Sequence, residues 1–126
     1  PDAQGNLTKI IGGGSNRLFK VESGGELAVK SLNLTGGDVS GMNENGGAVL
    51  VSGGIFSISN SIVWNNKALN GGAIYVQSGG KSHDTNTSFF SNYAVVDGGV
   101  FLLVGENSEI TSKLSRFEKN NCGDDA

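Results

Sequence analysis

The residues best suited to chemistry in this sequence are two carboxylates, Asp97 and Asp125, which lie 28 positions apart. If the chain repeats with that period, the two side chains lie one above the other, about 5 Å apart. Like charges at that distance repel each other unless they are protonated, separated by water or bridged by a cation such as Ca²⁺. Asp also replaces Asn as a turn-forming residue. The pair is therefore a candidate calcium site, and the alternative is that both residues only form turns.

The residue types of a catalytic triad occur next to one another at Ser82, His83 and Asp84. Consecutive residues of an extended chain point in different directions, whereas a triad needs a nucleophile, a base and an orienting acid in one hydrogen-bonded chain. We predict that residues 78–84 form the longest turn of their repeat, with His83 exposed beside Lys81. The other acids are scattered along the chain, so we predict no catalytic residue.

The aromatic residues, the cysteine and the glycosylation motifs give weaker signals. Trp64 is expected to close the core, and the alternative is that it stacks on sugars at the surface with Tyr75 or Tyr93. Cys122 is the only cysteine and cannot form an internal disulfide. We expect it to be a small buried or stacked side chain, with an interchain bond as the alternative. Motifs that permit glycosylation without requiring it occur at Asn6, Asn33 and Asn86.

The composition excludes several classes of protein. The 126-residue chain has a formal net charge of −3, from 9 basic and 12 acidic residues, so we predict no nucleic-acid binding. Its longest apolar run, 100–104, is too short to cross a membrane, and we predict no membrane insertion by this segment. The chain begins at Pro1 and stops inside a repeated motif, which favours a fragment of a longer chain.

Two motifs recur at a fixed offset, and they decide the fold prediction. The first is a glycine pair that follows Asn or Asp, and it occurs at Gly46-Gly47, Gly71-Gly72 and Gly98-Gly99. The second is an apolar residue three positions before an asparagine, and it occurs at Ile62 to Asn65, Phe89 to Asn92 and Phe117 to Asn120. Asn65 and Asn92 each lie six residues before the next glycine pair, the same rule predicts that Ala126 opens the next repeat after Asn120, and the period is 25–28 residues. The glycines are predicted to form turns in which a Cβ would clash.

The fold class predicted from these repeats is all-β, namely a right-handed, single-stranded parallel β-helix, or β-solenoid, of about 4–5 coils. Short apolar runs alternate with Gly, Asn and Ser clusters, which predicts three strands in each coil. Residues 1–126 are expected to form a single segment, with atypical coils over 1–45 and regular coils over 46–126. Asn65, Asn92 and Asn120 are predicted to form a structural ladder of hydrogen-bonded amides. A leucine-rich repeat has a similar period, but it has no place for the glycine pairs.

The repeats resemble those of the chlamydial polymorphic outer membrane proteins. The resemblance rests on Gly-Gly-Ala-Ile at 71–74, on Phe-x-x-Asn at Phe89 and Phe117, and on residues 18–37, which resemble the opening segment of similar right-handed β-helix surface proteins. It covers roughly residues 13–126 and departs from the pattern at Ile62, in place of Phe, and at Val100, in place of Ala. It implies an extracellular or outer-surface region, often adhesive, that belongs to a much longer chain.

We therefore expect a non-enzymatic structural or adhesive β-helix segment of an extracellular or cell-surface protein. Its expected partners are other segments of a longer chain, neighbouring surface proteins and glycans, with Lys81–Asp84 and Glu106-Asn107 as contact residues. The alternative is a carbohydrate-binding or polysaccharide-cleaving domain of the pectate-lyase type, favoured if one strand face carries acids and aromatic residues in register. Ice binding ranks below both, because only Thr85-x-Thr87 fits its Thr-x-Thr pattern. We expect no cofactor other than calcium at Asp97 and Asp125.

Overall fold

The computed structural model describes residues 6–123, which form an all-β parallel solenoid of about 4 turns. This confirms the fold class predicted from the repeats. Within the described residues the one helical segment is a 3₁₀ turn at Ser40–Met42. The strands are β1 Thr8–Ile11, β2 Phe19–Glu22, β3 Glu26–Lys30, β4 Leu32–Thr35, β5 Val49–Ser52, β6 Ile55–Ser59, β7 Ile62–Trp64, β8 Lys67–Asn70, β9 Ile74–Gln77, β10 Lys81–Thr85, β11 Ser88–Phe90, β12 Tyr93–Asp97, β13 Phe101–Leu103, β14 Glu109–Lys113, β15 Arg116–Glu118 and β16 Asn121–Cys122.

The strands form four parallel sheets that run along the solenoid. The sheets are β1-β4-β7-β11-β15, β3-β6-β10-β14, β8-β12-β16 and β2-β5-β9-β13. A complete coil therefore contributes four strands, and the prediction of three was wrong. The strand that was missed is represented by β8, in which only Ala68 and Leu69 are apolar and asparagines lie on both sides. Such a sequence resembles a turn, and the pairing with β12 makes it a strand.

Alternation along each strand directs every second side chain into the solenoid, where equivalent residues of successive coils form columns. Three of these columns are Val21-Val51-Val76, Leu34-Val63-Phe89-Phe117 and Ala68-Ala94-Cys122. The rings of Phe89 and Phe117 are stacked with their centroids 5.2 Å apart. Full burial of a side chain such as Phe89 stabilises a fold by about 1.5–3 kcal/mol. The columns therefore hold the coils together.

The first glycine of each repeated pair adopts a left-handed backbone conformation, which a residue with a Cβ rarely adopts. The φ angle is +73° at Gly46, +61° at Gly71 and +70° at Gly98. The second glycine lies against the backbone of the next coil. A Cβ on Gly72 would lie 2.6 Å from the carbonyl oxygen of Tyr93. Each pair thus combines a left-handed turn with the close approach of two coils.

One part of every coil has a constant length, and we call it the constant span. The first and last residues of this span are 12 positions apart in every coil, and each pairs with its equivalent in the next coil. The four copies of the span are Glu26–Asp38, Ile55–Lys67, Lys81–Tyr93 and Glu109–Asn121. The rest of the coil varies. The turn that precedes this span varies in length, and it consists of residues 23–25, 53–54, 78–80 and 104–108 in successive coils. A bulge in β12 adds one residue between Ala94 and Asp97.

The N-terminal coils are less regular than the later ones. In-register residues are 30 positions apart from Phe19 to Val49 and 25 positions apart from Val49 to Ile74. The longer coil contains the 3₁₀ turn. Arg17 holds this insertion in place, because its guanidinium donates to Glu44 Oε2 at 3.1 Å and to the carbonyl oxygen of Asn45 at 2.9 Å.

Candidate functional site

A column of asparagines, which we call the asparagine ladder, runs along one corner of the solenoid. Asn66 donates its backbone N–H and its Nδ2–H to Oδ1 of Asn92, at 3.1 and 3.0 Å. Asn92 donates the same two groups to Oδ1 of Asn120, both at 3.0 Å. In the preceding coil, Gly37 donates its N–H to Oδ1 of Asn66 at 3.0 Å. Because each amide satisfies buried backbone groups of neighbouring coils, the ladder has a structural role.

The prediction that Asn65 belongs to this ladder was wrong, since Asn66 takes the position. Asn65 is exposed and has a φ angle of +53°, which places it in the turn between β7 and β8. The prediction assumed a constant six residues between the asparagine and the glycine pair. The bulge in β12 follows Asn92, whereas no bulge follows Asn66, so the true spacings are six and five residues.

The asparagines that precede the glycine pairs form a second column. Asn70 donates its Nδ2–H to Oδ1 of Asn45 at 3.0 Å, and the backbone N–H of Asp97 donates to Oδ1 of Asn70 at 3.2 Å. Asp97 is exposed at the end of β12. Asp125, its predicted partner in a calcium site, lies outside the described residues. Among residues 6–123, no group of three or more His, Cys, Asp or Glu side chains is placed to hold a metal ion.

The segment Lys81–Asp84, predicted as an exposed turn, lies in strand β10. Ser82 and Asp84 point into the solenoid, in register with Phe56 and Ile58 of the preceding coil. Ser82 is 0% exposed and Asp84 is 1% exposed. The prediction of a turn was wrong because the segment has no apolar alternation, whereas backbone pairing on both sides makes it a strand.

Asp84 has a hydrogen-bond partner on one oxygen only. Ser112 donates its hydroxyl to Oδ1 of Asp84 at 2.6 Å, while Oδ2 of Asp84 and Oγ of Ser82 have no partner among the described residues. His83 points to the other side of the strand, so the three consecutive residues do not form a triad. A buried polar atom without a partner lowers stability by about 1–3 kcal/mol. The polar pair therefore weakens the core.

The outer face of the same sheet carries an ion pair. Lys81 Nζ lies 3.3 Å from Oε2 of Glu109, and Thr111 donates its hydroxyl to Oε1 of Glu109 at 3.2 Å. The hydrogen bond from Lys81 and then its positive charge lower the pKa of Glu109 below the ordinary value of 4.5, with smaller contributions from Thr111 and His83. Lys81 and Glu109 are about half exposed, so water and salt screen the pair.

The outer face of the neighbouring sheet carries two stacked aromatic rings. Trp64 and Phe90 are in register on β7 and β11, with ring centroids 5.5 Å apart and an interplanar angle of 13°. Trp64 donates its Nε1–H to Oδ1 of Asn33 at 2.6 Å. Trp64 therefore lies on the outer face, and the expectation that it closes the core was wrong. Val63 fills the core position predicted for Ile62, and Ile62 points outward. We call the surface formed by Asn33, Trp64 and Phe90 the aromatic face.

A shallow pocket of about 220 Å³ adjoins the aromatic face. It is lined by Ser88, whose small side chain is in register with the larger Ile62 on one side and Arg116 on the other. Phe90 and Glu118, which are also in register, form the adjoining wall. Neither Arg116 nor Glu118 forms a salt bridge with another described residue. This Ser88 pocket thus combines an apolar wall with a donor and an acceptor of opposite charge.

Sequence reasoning missed the aromatic face because it aligned the coils on Asn65. Each of Trp64, Phe90 and Glu118 lies two residues before an asparagine of the ladder, so alignment on the ladder places them in one column. Tyr75 and Tyr93 lie on other sheets, on β9 and β12. They are therefore not part of this surface.

The cysteine, the glycosylation motifs and the predicted contact residues Glu106-Asn107 lie away from the aromatic face, except Asn33, which is part of it. Cys122 is a free thiol on β16 that continues the column of Ala94 but is exposed, so it is a stacked side chain and not a buried one. Asn33 is held by Trp64, and Asn86 donates to another asparagine side chain at 2.8 Å. Asn6 is exposed. Glu106-Asn107 is exposed in the turn between β13 and β14.

Two further observations concern the chain as a whole. Residues 6–123 include no helix with the length and apolar character needed to span a membrane. No family model, no curated protein and no solved structure matches the chain.

Proposed function

We propose that the chain is a non-enzymatic adhesive and structural segment of an extracellular or cell-surface protein, and that it binds its partner through the aromatic face. The observation that carries the proposal is the in-register pair Trp64 and Phe90 beside the exposed Arg116 and Glu118. Aromatic and arginine side chains are enriched at binding surfaces. A rigid sheet that presents both on its outer side is therefore suited to adhesion.

The construction of the solenoid supports the structural part of the proposal. Four parallel sheets, the apolar columns and the asparagine ladder each connect one coil to the next. In such a protein the stability is roughly the sum of coil stabilities and contacts between neighbouring coils. The outer side chains are then free to contact a partner, because the backbone bonds and the columns already hold the fold.

The resemblance of the repeats to those of chlamydial polymorphic outer membrane proteins supports the proposed surface location. The Gly-Gly-Ala-Ile motif at 71–74 begins with the left-handed turn at Gly71 and continues into the buried start of β9. Its residues therefore have a fold-forming role here, as expected for a repeat that specifies architecture. The adhesive role and the extracellular location are proposals drawn from that resemblance together with the aromatic face.

A carbohydrate-binding or polysaccharide-cleaving domain is the second candidate function. It is favoured by the register of Trp64, Phe90 and Glu118, which places two aromatic residues and an acid on one strand face. Binding is favoured over cleavage, because glycoside hydrolysis commonly uses two carboxylates about 5–9.5 Å apart. Among the outward positions of the described strands of this sheet, Glu118 is the single carboxylate.

The experiment that tests the proposal incubates the protein with insoluble and soluble polysaccharides, acidic and neutral, with and without calcium. Retention on the insoluble material and the release of new reducing ends are measured in the same samples. We expect retention without release. Release of reducing ends that disappears in Asp97→Asn would overturn the non-enzymatic assignment and favour a calcium-dependent enzyme.

Two variants show whether retention uses the aromatic face. Phe90→Ala removes one of the stacked rings and is expected to reduce retention at least about fivefold, in line with the large share of binding energy that aromatic residues carry. His83→Ala changes an outward side chain on the neighbouring sheet and serves as the matched control. Equal retention of the two variants would contradict the proposed binding face.

A further inference from the structure

We propose that the Ser88 pocket binds one pyranose ring of a neutral glycan. This inference rests on the proposed adhesive function and names the ligand of the same surface. The pocket volume of about 220 Å³ is smaller than the 300–1,000 Å³ of sites for drug-sized ligands, which fits a single small ring.

The walls of the pocket match the two kinds of surface that a pyranose ring presents. The ring has C–H groups on its faces and hydroxyl groups around its edge. Ile62 and Phe90 supply the apolar part of the lining together with Phe89, and Ser88, in register with Ile62, adds a hydroxyl group. An apolar lining with a few placed polar groups is the usual composition of a small-molecule site.

The polar groups of the pocket match sugar hydroxyls, which donate and accept hydrogen bonds. The Arg116 guanidinium only donates, the Glu118 carboxylate only accepts, and the Ser88 hydroxyl does both. Hydrogen bonds that involve a charged partner are the stronger ones. A purely apolar ligand would leave Arg116 and Glu118 desolvated without a partner, so the pocket disfavours it.

The charges favour a neutral glycan over an acidic one. Arg116 is the one basic residue among those that line the pocket, and Glu118 lies beside it on the same strand. A uronic acid that approached Arg116 would also approach the Glu118 carboxylate, and the formal net charge of the chain is −3. Like charges brought together lower affinity. The negative charge of Glu118 and the negative net charge of the chain therefore both favour a ligand without a carboxylate.

The pocket wall is held in place before a ligand arrives. The Phe90 ring stacks on Trp64, and Trp64 is fixed by its hydrogen bond of 2.6 Å to Asn33. All of these residues lie on paired strands. A wall that does not need to be ordered on binding loses less entropy. Trp64 and Asn33 are therefore positioning residues for Phe90.

Isothermal titration calorimetry of the whole chain tests the assignment. The probes are hexasaccharides of gluco, manno and galacto configuration and, as the acidic probe, hexagalacturonate. We expect at least one neutral probe to bind at least about fivefold more tightly than the acidic one, since only the acidic probe brings a carboxylate to Glu118. Tighter binding of hexagalacturonate than of every neutral probe would overturn the inference.

Matched serine variants locate the binding site. Ser88→Leu fills the pocket and is expected to raise the Kd of the neutral probe at least about tenfold, the effect of occupying a site of this size. Ser57→Leu makes the same change at an outward position on β6, a strand of another sheet, and should leave the Kd within about twofold. Circular dichroism of both variants verifies that they fold. Equal effects of the two changes would show that the pocket is not the site.

The outcome for this pocket and the outcome for the proposed function are distinguishable. Retention on insoluble polysaccharide with no binding of any soluble neutral probe would refute the pocket assignment and leave the adhesive function standing. The absence of both would refute both. A further variant, Glu118→Lys, reverses the charge of one wall and is expected to shift the preference toward hexagalacturonate. An unchanged preference in that variant would contradict the role assigned to Glu118.

Discussion

Oδ1 of Asn92 accepts two hydrogen bonds from Asn66, one from the backbone N–H at 3.1 Å and one from Nδ2 at 3.0 Å. A single side-chain oxygen therefore joins two coils at both the backbone and the side-chain level. Asn65, which precedes Asn66 in the sequence, is exposed and occupies a left-handed turn. These neighbouring asparagines allow the contribution of the ladder to be separated from that of the turn.

Replacing the ladder residue is expected to destabilise the fold much more than replacing its neighbour. Asn66→Ala removes the acceptor for the N–H of Gly37 and the donor to the carbonyl of Trp64, so the free energy of unfolding should fall by about 2–4 kcal/mol. Asn65→Gly keeps the turn, because glycine adopts positive φ readily. This variant should change the free energy of unfolding by less than about 1 kcal/mol. Urea denaturation of both variants measures the difference. Similar losses would contradict the ladder assignment.

The buried polar residues of β10 are expected to lower stability. Asp84→Ile continues the column of Ile58 and removes the oxygen without a partner, so the free energy of unfolding should rise by about 1–3 kcal/mol. Ser112→Ala removes the hydroxyl that donates to Asp84 and should lower the free energy of unfolding by about 1–2 kcal/mol. Thermal and urea denaturation of the two variants report the signs. A decrease for Asp84→Ile would show that Asp84 has a partner in solution.

The ion pair on the outer face of β10 and β14 makes a pH-dependent contribution. Because Lys81 lowers the pKa of Glu109 in the folded protein, the contribution is complete above 4.5 and disappears as the pH falls through the lowered value. Lys81→Met should raise the Glu109 pKa toward 4.5, as measured by NMR titration of its carboxyl group. Lys30→Met, on β3 of the same sheet, is the control and should leave that pKa where it is. Added salt should reduce the difference.

The second glycine of a pair is expected to be essential for a steric reason rather than a conformational one. Gly72→Ala places a Cβ 2.6 Å from the carbonyl oxygen of Tyr93, and we expect a loss of about 3 kcal/mol or more. Gly79 has a φ angle of +77°, but the nearest atom to a Cβ there is 4.0 Å away. Gly79→Ala should therefore cost only about 1–2 kcal/mol, the strain of a left-handed alanine. Equal losses in chemical denaturation would contradict the close approach of the coils.

The sequence predicts the architecture because glycine pairs and apolar runs report steric requirements that recur in every coil. Gly71, for example, has a positive φ, in agreement with the turn that the repeated glycine pairs predict. The register within a coil is harder to predict, because a bulge leaves no mark in residue type. The extra residue in β12 is one of two ordinary valines, Val95 and Val96, which lie opposite the single residue Leu69, and it moved the predicted ladder from Asn66 to Asn65.

The orientation of the candidate site residues depends on that register. The sequence therefore identified some of these residues but not the direction in which their side chains point. Trp64 looks like a core residue by its size, but the pairing of Val63 with Phe89 turns it outward. Ser82 and Asp84 look like turn residues by polarity, although they lie in the core. In both cases the neighbouring strands determine the orientation, and residue type alone does not.

The constant span restricts how this chain can diverge during evolution. The asparagine ladder, the aromatic face and the Ser88 pocket all lie within it, whereas the bulge of β12 and the turns of variable length lie outside. A residue inserted or deleted inside the span would turn every following side chain of its strand to the opposite side, whereas the same change at a turn is absorbed locally. Length polymorphism among homologous coils should therefore gather at the turns and at the bulge. The 12-residue spacing, and with it the binding surface, should persist as the heritable unit of the repeat.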